Sequence, residues 1–298
     1  MPNSAPLFGC IEAGGTKFVL GIVSGSGDIE AMRRIETTTP FETIGAALDW
    51  MHAESARVGG LAAIGIASFG PVSLNPAAPD YGFITGTTKP GWSGTSFAPI
   101  FADAFGVPVG FDTDVNGAAL AEYRWGAGRG TPISVYLTIG TGIGGGAIIQ
   151  GHPLHGLSHP EMGHIRPPRH PLDIEFAGIC PFHGDCVEGL ASGPAIMARW
   201  GHNLSDLPDN HPAHEMIAWY IAQMVSTLQS IMEPARIILG GGVMATAGLI
   251  ERIQRETELL GGGFFRGRAR EMIVPPGLGD RAGLLGALAL AQDALARR

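Results

Sequence analysis

The chain has 298 residues, of which 45% are hydrophobic and 15% charged, so it reads as one large or two modest globular domains with an apolar lean. Its formal net charge of −8 argues against a nucleic-acid surface, which needs clustered Lys and Arg, and no apolar run approaches the roughly 20 residues of a membrane span. No basic segment followed by an apolar stretch opens the chain and only three cysteines are present, so the expectation is a cytoplasmic protein without a disulfide scaffold, and with no membrane partner. Glycine is the compositional outlier: 46 Gly lie beside Val, Ile and Leu runs, as turns between buried strands would.

In chain order, residues 8–11 and 18–23 are predicted strands joined by the turn Gly14-Gly15-Thr16. A helix is predicted over about 43–58, where Ile44, Ala47, Leu48 and Met51 recur at helical spacing. Residues 61–67 read as a buried strand, 71–97 as irregular, 97–105 as a short helix and 107–111 as a strand. The second half opens with a helix over 115–123, then strands at 134–139 and 147–149 around another glycine turn. Residues 151–190 are loop-rich and hold most of the histidines. Helices follow at 194–200 and 212–232, a strand at 236–239 ending in three glycines, and helices at 249–260 and 284–296. Alternating strands and helices predict an α/β architecture.

An internal echo organises the chain. CIEAGGTKFVLGIV (10–23) and LTIGTGIGGGAIIQ (137–150) share a plan of apolar strand, short turn of glycine with Thr, and apolar strand. Two such segments, each opening an α/β half, suggest two related domains. Glycine turns let backbone N–H groups approach phosphate oxygens closely, so Gly14-Gly15-Thr16, Gly140-Thr141-Gly142 and Gly240-Gly241-Gly242 are candidate nucleotide contacts. Any one of them alone is equally a hairpin turn. None is a Walker loop, and Gly142-Ile143-Gly144 runs on into a strand rather than a helix, against a dinucleotide fingerprint.

Two further groups carry chemistry. Asp114 follows a strand and precedes a helix, which suits either a carboxylate base at a strand's C-terminal end or a helix N-cap. Cys180, His183 and Cys186 are spaced three apart, with His164 sixteen residues before the first. Thiolate and imidazole are zinc's preferred ligands, and four filled positions make a closed, structural Zn²⁺ site. The bland alternative is two small buried thiols. His52, His202, His211 and His214 read as solvated surface, and His155 and His159 as loop residues.

The segments IEAGGTKF (11–18), IASFGPV (66–72), GFDTDVNGAALAE (110–122), TIGTGIGGGAI (138–148), GLSHPEMGHI (156–165), CPFHGDCVEGLASGPA (180–195), ILGGGVM (238–244) and VPPGLG (274–279) together resemble the ROK family (repressor, open reading frame, kinase). That family lies within the actin-like ATPase superfamily, and the chain is most similar to its bacterial fructokinase branch. The resemblance implies two α/β domains around a cleft: a small one over 1–112 joined by the C-terminal helix 283–298, and a larger one over 113–282 carrying the zinc loop. It implies an ATP- and Mg²⁺-dependent sugar kinase converting D-fructose to fructose 6-phosphate. The same resemblance leaves a glucokinase or mannokinase, or a non-catalytic sugar-responsive regulator, as the alternatives.

By the same resemblance Asp114 is the catalytic base, and Thr113, Glu161, His164 and Glu188 contact the sugar. Gly14, Gly15, Thr16, Lys17, Gly140, Thr141, Gly142, Pro194, Gly240, Gly241 and Gly242 contact ATP. His164 also ligates zinc with Cys180, His183 and Cys186, one ring nitrogen serving each task. Two positions depart from the commoner family pattern, Thr113 for Asn and Glu12 for Asp. The longer Glu12 leaves its contact with magnesium either direct or through water. A homodimer is expected by the same route.

Overall fold

The computed structural model describes residues 5–297 and divides into two compact units. Among the described residues, unit 1 comprises 5–121, 154–159 and 279–297; unit 2 comprises 122–153 and 160–278.

Unit 1 begins with β1 (Leu7–Ala13), β2 (Lys17–Ser24) and β3 (Ile29–Glu36), an antiparallel meander. Helix α1 (Pro40–Val58) starts at a Thr39/Glu42 capping box with Pro40 in its first turn, and Gly59 closes it in the left-handed conformation at φ 83°. β4 (Ala63–Ser68) then pairs parallel with β1. Within the segment predicted as irregular, β5 (Phe83–Ile84) and β6 (Thr95–Ser96) form a minimal hairpin beside the fully buried Trp92, whose indole N–H donates to Thr38 O at 2.8 Å. Helix α2 (Ala98–Phe105) leads to β7 (Val109–Thr113), parallel to β4, and then to α3 (Asp114–Trp125). The sheet order is β3-β2-β1-β4-β7.

Unit 2 repeats this plan. β8 (Ile133–Ile139), β9 (Ile143–Ile149) and β10 (His152–Pro153) form the antiparallel side. A long loop and helices α4 (Val187–Ala191), α5 (Gly193–Trp200) and α6 (Ala213–Met232) precede β11 (Arg236–Gly240), which pairs parallel with β8. Helix α7 (Leu249–Gly261) and the single-turn α8 (Ala269–Met272) lead to β12 (Ile273–Val274), parallel to β11. The order β10-β9-β8-β11-β12 matches unit 1 strand for strand. Helix α9 (Ala282–Ala296), rich in Ala and Leu, belongs to unit 1 and packs on β1, β4 and β7. No described helix is long and apolar enough to cross a membrane.

Two boundaries differ from the sequence expectation. The units divide after Ala121, not after residue 112, and are nearly equal in length. The first half of α3 stays with unit 1 because Gly117 brings its backbone against Gly286 of α9, where neither position leaves room for a side chain. Residues 154–159 also belong to unit 1, for reasons that lie in their side chains and are given below. The exposed edge strand β3 carries no clear alternation of apolar and polar residues, which is why the sequence reading passed over it.

Candidate active site

In unit 1 the turn between β1 and β2 is held by its own backbone. Gly14 N–H donates to Lys17 O at 2.9 Å, Thr37 Oγ1 donates to Gly14 O at 2.7 Å, and Thr37 N–H donates to Thr16 O at 3.0 Å. Gly15, Thr16 and Lys17 are exposed, and a side chain at Gly15 would meet nothing within 4 Å. The turn is therefore a preformed loop with accessible backbone, as a phosphate contact requires. Two residues before it on β1, Glu12 lies against Gly283, where any side chain would run into its carboxylate. Burial raises the Glu12 carboxyl above its usual range, and Lys17 and Arg34 partly offset this.

The β7–α3 junction sets out the candidate base. Thr113 is 3% exposed, and its Oγ1 accepts the Asn116 N–H at 3.1 Å, which makes Thr113 the cap of α3. Its hydroxyl is buried and accepts from the helix, which leaves its own proton free to be donated. The cap resolves the ambiguity at Asp114. Thr113 does the capping, so Asp114 is the first residue of the helix, half-buried, with Oδ1 accepting the Val115 N–H at 2.9 Å. A carboxylate there is stabilised by the positive end of the helix dipole.

Beside it, Asp112 is 2% exposed and fully engaged. Its Oδ1 accepts Thr113 N–H at 2.8 Å and Asn116 Nδ2 at 2.7 Å, and its Oδ2 bonds His155 Nε2 at 2.8 Å. Asn116 is structural, as its helical position suggested. His155 and His159 are not idle loop residues: His159 Nε2 accepts Val72 N–H at 3.1 Å. These bonds hold residues 154–159 on unit 1, and nothing in the local spacing of the sequence signals them.

In unit 2, the Sγ and ring-nitrogen atoms of His164, Cys180, His183 and Cys186 all lie within 4.8 Å of one another. The Nδ1 atoms of His164 and His183 are 3.3 Å apart, Cys180 Sγ is 3.7 Å from each, and Cys186 Sγ is 3.5 Å from His164 Nδ1. Nitrogens and thiolates at about 2.0–2.3 Å from a shared tetrahedral centre lie about 3.3–3.8 Å apart, so these separations fit a zinc ion. The loop is shaped for it. Cys180 and Gly184 bond each other's backbones, Gly184 taking φ 63°, and Cys186 caps α4 by accepting Gly189 N–H at 3.5 Å. Burial pushes the Cys186 thiol above its ordinary range, so ion binding there must displace a proton. His164 turns Nε2 the other way, 3.9 Å from Glu161 Oε2.

Glu188, in the first turn of α4, accepts Ile143 N–H on Oε2 at 2.9 Å, and the space beside that oxygen exists because residue 142 is glycine. Gly193 N–H, opening α5, donates to Gly140 O at 2.7 Å. Gly241, at φ 95°, packs on the Ile139 backbone. The structure thus brings Gly140, Thr141, Gly142, the start of α5 with Pro194, and Gly240-Gly241-Gly242 together in unit 2. Thr141, Pro194, Gly241 and Gly242 are exposed. Of the histidines assigned to surface, His214 is a correction. It is 2% exposed on the packed face of α6, with Nε2 3.1 Å from Pro208 O.

Comparison with known proteins completes the description. The chain is 49% identical to the fructokinase of Zymomonas mobilis over 98% of both chains. It is 45% identical to a protein of Bacillus subtilis named putative fructokinase, over 97% of this chain and 96% of that one. A ROK family glucokinase from Streptomyces griseus, solved with glucose and AMPPNP, superposes with a TM-score of 0.72 at 26% identity, over 96% of this chain and 99% of that one. The two-unit α/β fold is that of the ROK sugar kinases, and the ROK family profile matches residues 8–294. The chain belongs to the ROK family.

Proposed function

We propose that this protein is an ATP-dependent fructokinase, transferring the γ-phosphoryl group of magnesium ATP to the C6 hydroxyl of D-fructose to give fructose 6-phosphate. The observation that carries the substrate is the near-half identity, over nearly the whole of both chains, to a fructokinase. The chemistry assigns roles to the residues described above. Asp114 accepts the hydroxyl proton as the phosphoryl group arrives; this transfer passes through a loose transition state, so positioning and charge stabilisation supply most of the rate. Glu161, Glu188 and His164 Nε2 hydrogen-bond sugar hydroxyls, since carboxylates accept from paired OH groups and imidazole can donate or accept.

Backbone amides of the 14–16, 140–142 and 240–242 turns, with Lys17 and the start of α5 at Pro194, bind the nucleotide. Glu12 serves the magnesium–phosphate end, directly or through water. The four-ligand cluster holds a structural zinc ion whose contribution is rigidity: a metal-bound His164 Nδ1 fixes that ring's tautomer and the direction of its Nε2. Assembly as a homodimer belongs to the same reading and is supported by the exposed apolar side chains Leu172, Ile174 and Phe182. Sedimentation velocity tests it, and a monomer alone would remove it.

The deciding experiment is a coupled ADP-release assay with magnesium ATP against fructose, mannose and glucose. Turnover led by fructose is expected. A lead by glucose or mannose would overturn the substrate, and no turnover with any of the three would overturn the kinase reading.

A further inference from the structure

A buried carboxylate stands two residues before the proposed base and has no task in the reading above. Asp112 is 2% exposed, yet both of its oxygens are engaged, and its partners are unlike one another. Oδ1 receives Thr113 N–H, from the cap of α3, and Asn116 Nδ2, from its first turn. Oδ2 has one described partner, His155 Nε2 at 2.8 Å, which comes from a segment more than forty residues away in sequence. Removing that imidazole would leave an anionic oxygen facing a buried environment, a situation that makes a side chain rotate or take up a proton. Either response would disturb Thr113 and Asn116, which build the turn that carries Asp114.

His155 is not a surface ring that happens to touch Asp112. Its backbone segment is pinned three residues on by Ser158 Oγ donating to Val72 O at 3.0 Å, and one further on by Val72 N–H donating to His159 Nε2. His159 Nε2 is the acceptor of that bond. The segment therefore carries one histidine that accepts and one that faces a carboxylate. The charged groups acting on His155 are Asp112 from β7, which favours the imidazolium, and Arg297, just past the end of α9, which together with burial opposes it.

We propose that His155 is a positioning residue for phosphoryl transfer: by donating to Asp112 Oδ2 it orients the carboxylate that organises the first turn of α3, and with it the Asp114 side chain. Where the ring is protonated, its charge also balances that of Asp112 beside Asp114. This rests on the reading of Asp114 as the base.

The test compares H155Q, H155F and D112N in the full-length, zinc-replete protein. Glutamine places an amide donor near the position of imidazole Nε2 but does not titrate; phenylalanine keeps the ring and removes the donor. H155F is expected to lower kcat for fructose by about 10–100-fold, the scale of a base displaced by about 1 Å, with KM for magnesium ATP within about two-fold of the native value. H155Q, a donor without the charge, is expected to restore kcat only to the level the native enzyme keeps above the His155 transition, where the neutral imidazole still donates. The pair is fully charged below the raised His155 pKa and is lost as pH rises through it. The native enzyme should therefore show an alkaline limb in kcat that both H155Q and D112N lack.

Native kcat in H155F would overturn the proposal. So would equal losses in H155F and H155Q with an unchanged pH profile, which would mark a merely structural contact. If H155F fails to fold, H155Q and D112N still decide through the alkaline limb, whose persistence in both would overturn the proposal. A parallel D114N variant keeps the two readings apart. Full activity there removes the base, whereas an inactive D114N beside a native-like H155F removes only the role of His155.

Discussion

The two units share one sheet plan and use it differently. In each, an antiparallel hairpin with a glycine turn is followed by two parallel strands, in the orders β3-β2-β1-β4-β7 and β10-β9-β8-β11-β12. The turn of unit 1 stands open, with nothing within 4 Å of a side chain placed at Gly15. The turn of unit 2 is packed: Gly142 lies against Glu188, and Gly140 O accepts from the start of α5. The parallel strands diverge too. In unit 1, β7 delivers Asp112, Thr113 and Asp114 directly to a helix. Unit 2 inserts the 160–190 loop, with four side chains that could hold a metal ion, before β11. One topology thus carries two chemistries, because topology sets where a turn or strand end lies while the packed side chains decide what it can do.

The comparison can be broken first at the base of unit 1. D114N is expected to lower kcat by about 10²–10⁴-fold, with fructose binding by calorimetry retained, as for a group needed only for proton transfer. Loss of fructose binding along with turnover would show that Asp114 holds the substrate instead. Next comes the metal loop of unit 2. Chelation or C186A should raise KM for fructose by about 10–100-fold and lower Tm, the range seen when groups that orient a metal site are lost. A zinc-free sample with native KM would detach the loop from the sugar.

The turns themselves give a paired test of smaller size. G142A drives a methyl group toward Glu188 Oε2 and should lower Tm, while G15A, in open space, should leave stability within about 0.5 kcal/mol. Equal effects would mean that the two turns are packed alike. The smallest effect concerns Glu12. Its carboxyl is raised in the folded protein, so the native state holds its proton more tightly than the unfolded chain. Ionised Glu12 therefore costs stability at neutral pH, and that cost fades as pH falls through the folded value. E12Q should be more stable than the native protein at neutral pH and lose that advantage in acid, as followed by urea unfolding at several pH values.

How far the sequence reached can be judged on particular residues. The hairpins at 14–16 and 140–142 were legible because glycine between apolar runs is a local signal. So was the Cys180, His183, Cys186 spacing, because a tight loop gathers its own ligands. The paired domains were legible as an echo between residues 10–23 and 137–150. The capping role of Thr113 was not legible because capping depends on where α3 begins, a matter of one residue. His214 was misplaced because the packed face of α6 is decided by its neighbours. His155 was passed over because its partner is 43 residues away in sequence.

The sequence by itself determined the α/β class, the two glycine-turn hairpins, the Cys180, His183, Cys186 spacing and the membership of the ROK family, all carried by local patterns or by motifs of contiguous residues. Only the tertiary structure decided that the units divide after Ala121, that Thr113 caps the helix and leaves Asp114 out of that task, that Glu188 braces the 140–142 turn, and that His155 holds Asp112. Each of these is a contact between segments distant in the chain, or a choice between two adjacent polar residues. Local pattern cannot rank such alternatives, because the burial and hydrogen-bond partners that separate them exist only after the chain has folded.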